Sequence, residues 1–274
     1  MTDLHMTARP GYTGQLNGKI LERIRFLSKE LDLPNLEDKF PHLKVTDGSW
    51  RRVASIPDDA DLAEYIDHTQ LKADAPHAAF VQLCDEAKRF HFKAVAVNCA
   101  QVKRCVELLA GSGVRVGGSV SFPLGQTTTA VKVAEAMDEV NNGALDMDMM
   151  LNVAELKNKD YRYIYNDIKA VCGACPPHVT TKVIFEICLL TEEEIIDTAI
   201  MCVAAGAHYV KTSTGFSTGG ATPAAVDIML AVVGNAALVK ASGGIRDRRT
   251  ALQFVRAGVR RIGTSAGVAI CTIS

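Results

Sequence analysis

Residues 208–242 read HYVKTSTGFSTGGATPAAVDIMLAVVGNAALVKAS. A β-prone run at 208–213 gives way to a turn-rich stretch, then to a helix opened by Thr222-Pro223, then to a second β-prone run at 237–242. Thr suits the N-cap because its hydroxyl accepts from an otherwise unpaired first-turn amide, and Pro suits the first helical position because its φ is already helical. A strand, a crossover helix and a second strand form a βαβ unit, which pairs its strands in parallel.

The same alternation extends outward in both directions. β-prone runs fall at 64–69, 93–98, 115–122, 144–151, 180–186, 208–213, 237–242 and 260–265, with amphipathic helical stretches between them. Asp74 with Pro76 opens one of these helices, Thr191 and Glu194 form a capping box at another, and Gly206 and Gly258 mark C-terminal stops. The strand starts lie about 22–36 residues apart, the size of a βα unit with its loops. The fold class expected is α/β, a (β/α)8 TIM barrel over residues 61–274. A doubly wound open sheet is the rival, but it usually has about five to seven strands and a Gly-rich first turn. No GxGxxG follows the first strand here. Residues 1–60 are more polar, with Ile20, Ile24, Leu27 and Leu31 at helical spacing and Pro34, Pro41 and Pro57 breaking the chain beyond them. They read as an N-terminal helical extension packed on the barrel.

Composition narrows the class of molecule. The chain has 274 residues, 48% of them hydrophobic, enough apolar surface to offset the entropy of ordering and to exclude disorder. Lys+Arg number 30 against 31 Asp+Glu, so no basic field marks a nucleic-acid or anionic-membrane partner. The eight cysteines lack small-domain spacing, and a reducing, cytoplasmic setting is expected. The opening residues show no apolar leader, the apolar window 228–233 falls far short of the roughly 20 residues of a membrane span, and CTIS is no lipidation or peroxisomal address.

In a TIM barrel the chemistry sits at the C-terminal ends of the strands. Lys182, Lys211 and Lys240 lie on three consecutive strand candidates, each flanked by apolar or small residues. A single strand lysine is usually a rim residue with its stem buried and its ammonium in water. A closed barrel has no edge strands, so three in a row point to a functional amine. Burial and a neighbouring positive charge both lower a lysine's pKa, and Lys240 stands beside Lys211 to supply that charge. On the fourth strand, period two puts Asp146 and Asp148 on one face and Met147 and Met149 on the other. The two carboxylates can pair with the lysines as a structural network or move a proton beside the amine, and both can hold at once. Gly243-Gly244 and Gly263-Thr-Ser-Ala-Gly267 come after strands seven and eight, the two barrel loops that commonly hold phosphate, and Gly215 could extend that cradle.

Other features read as structural. Cys172-Gly-Ala-Cys175 ends a helix rather than starting one after a strand, His68 is a hydrogen-bonded strand residue, and Arg246 to Arg249 form a solvated face, with Arg246 near the phosphate loops. On the residues alone, three readings stand: a Schiff-base aldolase or dehydratase acting on a phosphorylated aldehyde or keto acid, a silent barrel that binds a phosphorylated sugar, and a metal-dependent aldolase. The last lacks a His cluster with ligand spacing.

The combination Asp67-His-Thr69, Phe122-Pro-Leu-Gly125, Asp146-Met-Asp148, Lys211-Thr-Ser-Thr-Gly-Phe216 and Lys240-Ala-Ser-Gly-Gly-Ile-Arg246 resembles the deoxyribose-phosphate aldolase family, over about Tyr65 to Gly267. The resemblance implies a class I aldolase without metal or other cofactor, cleaving 2-deoxy-D-ribose 5-phosphate to D-glyceraldehyde 3-phosphate and acetaldehyde in deoxyribose phosphate catabolism. By motif, Lys211 resembles the Schiff-base lysine, Lys240 the lysine that tunes it, and Asp148 the carboxylate of the proton relay. Gly215, Gly243, Gly244 and Ser265 resemble phosphate-binding positions, and Thr69 and Lys182 resemble residues lining the substrate pocket. The chain departs from the family pattern at Ala96 and Cys99, where Val-Cys-Val-Asn-Pro is usual, and at Ile187 and Ala266, where Thr and Ser are common. The partner implied is a small phosphorylated sugar, and the apolar residues on the barrel helices permit a homo-oligomer such as a dimer.

Overall fold

The computed structural model describes residues 10–44 and 55–272. Residues 1–9, read above for a leader, and 45–54 of the N-terminal segment lie outside the described residues. Eight parallel strands close into one barrel in chain order. They are β1 (Ile66–Gln70), β2 (Ala94–Val97), β3 (Arg115–Val120), β4 (Asp146–Met150), β5 (Thr180–Ile184), β6 (Tyr209–Lys211), β7 (Leu238–Ser242) and β8 (Arg261–Thr264). Helices cover the outside: α2 (His77–Phe90), α3 (Val102–Leu108), α4 (Thr129–Asn141), α5 (Val153–Lys157), α6 (Tyr161–Ala174), α7 (Glu192–Ala205), α8 (Pro223–Val233), α9 (Arg248–Ala257) and α10 (Gly267–Cys271), with α1 (Pro10–Glu30) preceding the barrel. Among the described residues no helix is long and apolar enough to cross a membrane.

The sequence punctuation works as its chemistry requires. Thr191 and Glu194 cap α7 reciprocally, Thr222 accepts from the Ala225 amide at the start of α8, and Gly206 and Gly258 end α7 and α9 in the left-handed conformation. Several expectations shift: most strand runs shorten by one or two residues at their ends, and Gly263 and Thr264 lie within β8 and not after it. Pro76, not Asp74, occupies the N-cap of α2. The first strand starts at Ile66, because residues Ala63–Tyr65 form a 3-10 turn. The sixth strand ends at Lys211; just beyond it the Thr212 amide still donates to the Lys240 carbonyl, and hydroxyls add to the bonding, with Thr212 Oγ1 donating to the Ser242 carbonyl and Ser242 Oγ to that of Ser213.

The apolar stripe of α1 is Ile20, Ile24, Leu27 and Leu31, and it joins the same core as the barrel helices. Burying each such side chain contributes about 1.5–3 kcal/mol. Arg23 fixes the docking angle with a two-pronged contact to Asp197 of α7 at 2.7 and 2.8 Å, and its guanidinium lies 4.2 Å from the Phe26 ring centre. Arg248, expected on a solvated face, instead donates to the carbonyls of Asp58, Ala60 and Ile270, so it clasps the segment leading into β1.

Strand register decides what faces the barrel interior. Asp148 is level with Lys182, and Lys211 is level with Lys240, which is level with Arg261. Parallel neighbours at one level point the same way, so these side chains converge on the axis. Met147, on the opposite face of β4, turns outward and lies 3.7 Å from the Cys175 sulfur just past α6.

Candidate active site

Asp148 is the hub. Its Oδ2 accepts from Lys211 Nζ and from Lys240 Nζ, each at 2.7 Å, and its Oδ1 lies 3.0 Å from Lys182 Nζ. All four side chains are buried. Burial alone would raise the Asp148 carboxyl, but Lys182, Lys211 and Lys240 outweigh it and hold the group well below the usual carboxylate range. For Lys211 burial wins. It pushes the ammonium down to about 8 against the pull of Asp148, and the Lys240 charge adds to the fall. Burial also acts on Lys240, yet Asp148 and Asp67 more than offset it and hold that lysine above its ordinary value. Two adjacent lysines are thus driven apart: one can shed its proton near neutrality and the other keeps it.

Lys182 is wholly buried, with Asp146 at 2.6 Å and Asp148 at 3.0 Å, so it sits within the charged layer and not on an open wall. Thr69 is half-buried at the C-terminal end of β1, where its hydroxyl donates to the Asp67 carbonyl and Ala96 lies level with it on β2. The glycine and serine candidates lie at the barrel mouth. Gly215, Gly244 and Ser265 are exposed and Gly243 is half-buried, on the three loops that follow β6, β7 and β8.

Two of these loops are locked together. The Ala221 amide donates to the carbonyls of Ser242 and Gly243, and a Cβ on Gly220 would stand 2.2 Å from the Gly243 oxygen. Only glycine permits that approach. Glu186, buried with a left-handed φ of 57°, accepts from the Thr214 amide at 3.3 Å and from the Thr214 hydroxyl. Thr214 Oγ1 in turn accepts from the Phe216 amide at 2.9 Å, closing a turn around Gly215, whose φ is 86°. Beyond β8, the Ala266 amide is taken by Thr264 Oγ1 at 2.9 Å. Arg246 is exposed beside Gly244.

The interior therefore offers an amine of lowered pKa, a neighbouring lysine favoured in its charged form and a carboxylate within hydrogen-bond reach of both, below the loops that follow β6, β7 and β8. The chain matches the family model described as "DeoC/LacD family aldolase" over residues 62–272. The chain belongs to the DeoC/LacD aldolase family. This family aldolase is 47% identical over 214 residues to a deoxyribose-phosphate aldolase of Clostridium perfringens, covering 78% of this chain and 96% of that one. It is 50% identical over 212 residues to one from Brevibacillus brevis, covering 77% and 96%. Among solved structures it resembles the tetrameric deoxyribose phosphate aldolase of Aeropyrum pernix, with 30% identity, a TM-score of 0.72, and coverage of 77% of this chain and 89% of that one.

Sequence reasoning missed part of the aldolase's charged layer. Asp67 lay within a quoted motif but received no role, and Arg261 and Arg115 received none. Asp67 Oδ2 lies 2.5 Å from Lys240 Nζ, Arg261 Nε donates to Asp67 Oδ1 at 2.5 Å, and Arg115 Nε donates to Asp146 Oδ2 at 2.5 Å. A charged residue in a strand that alternates with apolar ones was the available signal. His68 faces outward, as a structural histidine does, with Nε2 2.7 Å from Glu86 Oε2. Cys172 and Cys175 are free thiols pushed up by burial, to about 11 and about 12.

Proposed function

We propose that this aldolase reversibly cleaves 2-deoxy-D-ribose 5-phosphate to D-glyceraldehyde 3-phosphate and acetaldehyde through a Schiff base on Lys211. The observation that carries this reading is the buried Lys211 amine, pushed down to about 8 and held 2.7 Å from Asp148. The neutral amine adds to the C1 aldehyde of the open-chain sugar. Loss of water leaves a protonated imine, with Asp148 and Lys240 passing the protons. The imine draws the electrons of the C2–C3 bond toward C1. As that bond breaks, the C3 hydroxyl gives up its proton and C3 leaves as the aldehyde carbon of glyceraldehyde 3-phosphate. The relay protonates the remaining enamine at C2, and the water returns to release acetaldehyde and the free lysine. One amine and one acid/base suffice, which is why we assign no metal or other cofactor to the step.

We assign Gly215, Gly243, Gly244 and Ser265 to the phosphate and Thr69 to the wall of the sugar site, with Lys182 in the buried charged layer. Lys182 acts there through Asp146 and Asp148, since no part of it is exposed. A phosphorylated sugar as partner, a place in deoxyribose phosphate catabolism, a cytoplasmic setting and a homo-oligomeric working form complete the reading. The names of the relatives and the free state of all eight cysteines support it.

The test is a substrate panel in which purified enzyme meets 2-deoxyribose 5-phosphate, its unphosphorylated analogue, and phosphorylated ketose and keto-acid aldols. Release of acetaldehyde from the first, with much weaker cleavage of the rest, is expected. Preferential cleavage of a keto-acid aldol would overturn the substrate assignment.

A further inference from the structure

Charges in the barrel interior form a closed circuit. Starting at Asp148, Oδ2 is 2.7 Å from Lys240 Nζ, which is 2.5 Å from Asp67 Oδ2. Asp67 Oδ1 is 2.5 Å from Arg261 Nε, and Arg261 Nη1 is 3.3 Å from Asp146 Oδ1. Asp146 Oδ1 is 2.6 Å from Lys182 Nζ, and Lys182 Nζ is 3.0 Å from Asp148 Oδ1, where the circuit began. Three anions and three cations alternate around this ring, and all six are buried. The ring is neutral in itself. Among the described residues Lys211 hangs from it by Asp148 alone, as a seventh charge with no second anion.

We propose that Arg261 is a positioning residue for the imine chemistry. By closing the ring it commits Asp67 and Asp146 to other cations and leaves Lys211 the surplus charge of the barrel. The inference rests on the reading of Lys211 as the Schiff-base amine. Among the described residues Arg261 makes no ion pair or hydrogen bond with Lys211 or with the loops assigned to substrate. Besides the ring it contacts Tyr209, so its effect on Lys211 runs through the ring's charges.

The other ionisable groups around this layer do not supply what Arg261 supplies. Facing Lys211 are Asp148 of β4, Lys182 of β5 and Lys240 of β7. Facing Arg261 are Asp67 of β1, Asp146 of β4, Tyr209 of β6 and Lys240 of β7. Arg115 of β3 reaches Asp146, but its side chain is 25% exposed and its charge is shared with water. Behind β3, Glu139 of α4 is buried, and burial, then Glu135, pushes its carboxyl well above the usual range, away from the charged form. β2 turns Ala94 and Ala96 toward this layer. Removing Arg261 would therefore leave three anions against two cations in the ring, and the excess negative charge would hold the Lys211 proton more tightly.

The test is borohydride trapping of the acetaldehyde adduct as a function of pH, quantified on the Lys211 peptide, in full-length wild type, Arg261→Met, Arg261→Lys and Asp67→Asn. Arg261→Met is expected to move the half-point of trapping up by about one pH unit, and Asp67→Asn, which removes an anion, to move it down. Arg261→Lys, which restores the charge, is expected to return to the wild-type profile. A role in packing alone would lower yield or melting temperature without moving the half-points in opposite directions. Unshifted profiles, or shifts of one sign in both variants, would overturn the proposal. If Arg261→Met does not fold, Asp67→Asn decides: a downward shift supports the ring and an unchanged profile overturns it. Absence of a wild-type adduct would overturn the Schiff-base reading itself and the inference with it, whereas a normal adduct with an unmoved profile overturns the inference alone.

Discussion

Lys211 and Lys240 share one oxygen, each placing Nζ 2.7 Å from Oδ2 of Asp148. A single carboxylate oxygen stabilises two ammonium groups poorly when both are desolvated, so one of them must yield its proton more readily. Lys240 has Asp67 as a second anion at 2.5 Å, and Lys211 has none among the described residues, which favours Lys211 as the lysine that yields.

Replacing Lys240 with Leu removes the competitor for Asp148. Lys211 then holds its proton more strongly and the relay loses a member. Turnover at neutral pH is expected to fall by about 100-fold or more, with partial recovery at higher pH. Measuring kcat/KM against pH checks this, and a rate within a few-fold of wild type would refute the assigned pairing.

The pH dependence carries a sign at each end. Lys211, pushed down to about 8, is protonated and non-nucleophilic below that value, so turnover should climb as pH rises through about 8. Asp146 and Asp148 are held below their ordinary values, so the stability they contribute is present above about pH 4 and is lost as pH falls further into the acid. Asp148→Asn leaves three buried ammonium groups short of their shared partner and should cost about 3–5 kcal/mol at pH 7. Thermal melting between pH 3 and 7 would show the wild-type loss on acidification and a flatter profile for the variant.

Gly243 has φ 87°, and a Cβ there would stand 2.9 Å from the Gly220 Cα. Gly243→Ala should displace the loop after β7 and raise KM for the phosphorylated sugar about 10-fold, equivalent to about 1.4 kcal/mol of lost binding. Trapping of acetaldehyde, which carries no phosphate, should be nearly unaffected. Equal losses with both compounds would remove Gly243 from the phosphate cradle.

Glu139 is buried against Gly118, and neither carboxyl oxygen makes a well-formed hydrogen bond among the described residues. Burial, then the nearby Glu135, pushes its carboxyl well above the usual range. A group protonated when folded but ionised when unfolded takes stability away as pH rises above the unfolded value, about 4.3. Glu139→Gln should therefore raise the melting temperature at pH 7 by about 2–4 °C, with the gain shrinking near pH 4. Calorimetry at both pH values checks the sign.

The barrel was legible because short β-prone runs alternate with amphipathic helices, some of them opened by recognisable caps such as Thr191 and Thr222, all local features. The lysines and Asp148 were legible for a related reason, as polar residues breaking the apolar pattern of consecutive strands. The ring was not. Arg261 meets Asp67 across 194 positions of chain, and only closure of β8 against β1 brings them together. Buried charges on helices escaped too. Lys132 of α4 looks like a solvated helical residue, yet it is fully buried, 2.6 Å from Asp167 of α6, and donates to the Met150 carbonyl. Nothing in the local pattern of either helix announces that pairing.

The central claim is that Lys211 is the amine that forms the imine. Incubating the enzyme with 2-deoxyribose 5-phosphate or acetaldehyde, reducing with borohydride and mapping the adduct by mass spectrometry tests it directly, with Lys211→Ala as the control. The account predicts a reduced two-carbon adduct on the Lys211 peptide, absent in the variant together with turnover. An adduct on Lys240 or Lys182, or turnover with no adduct at all, would contradict it.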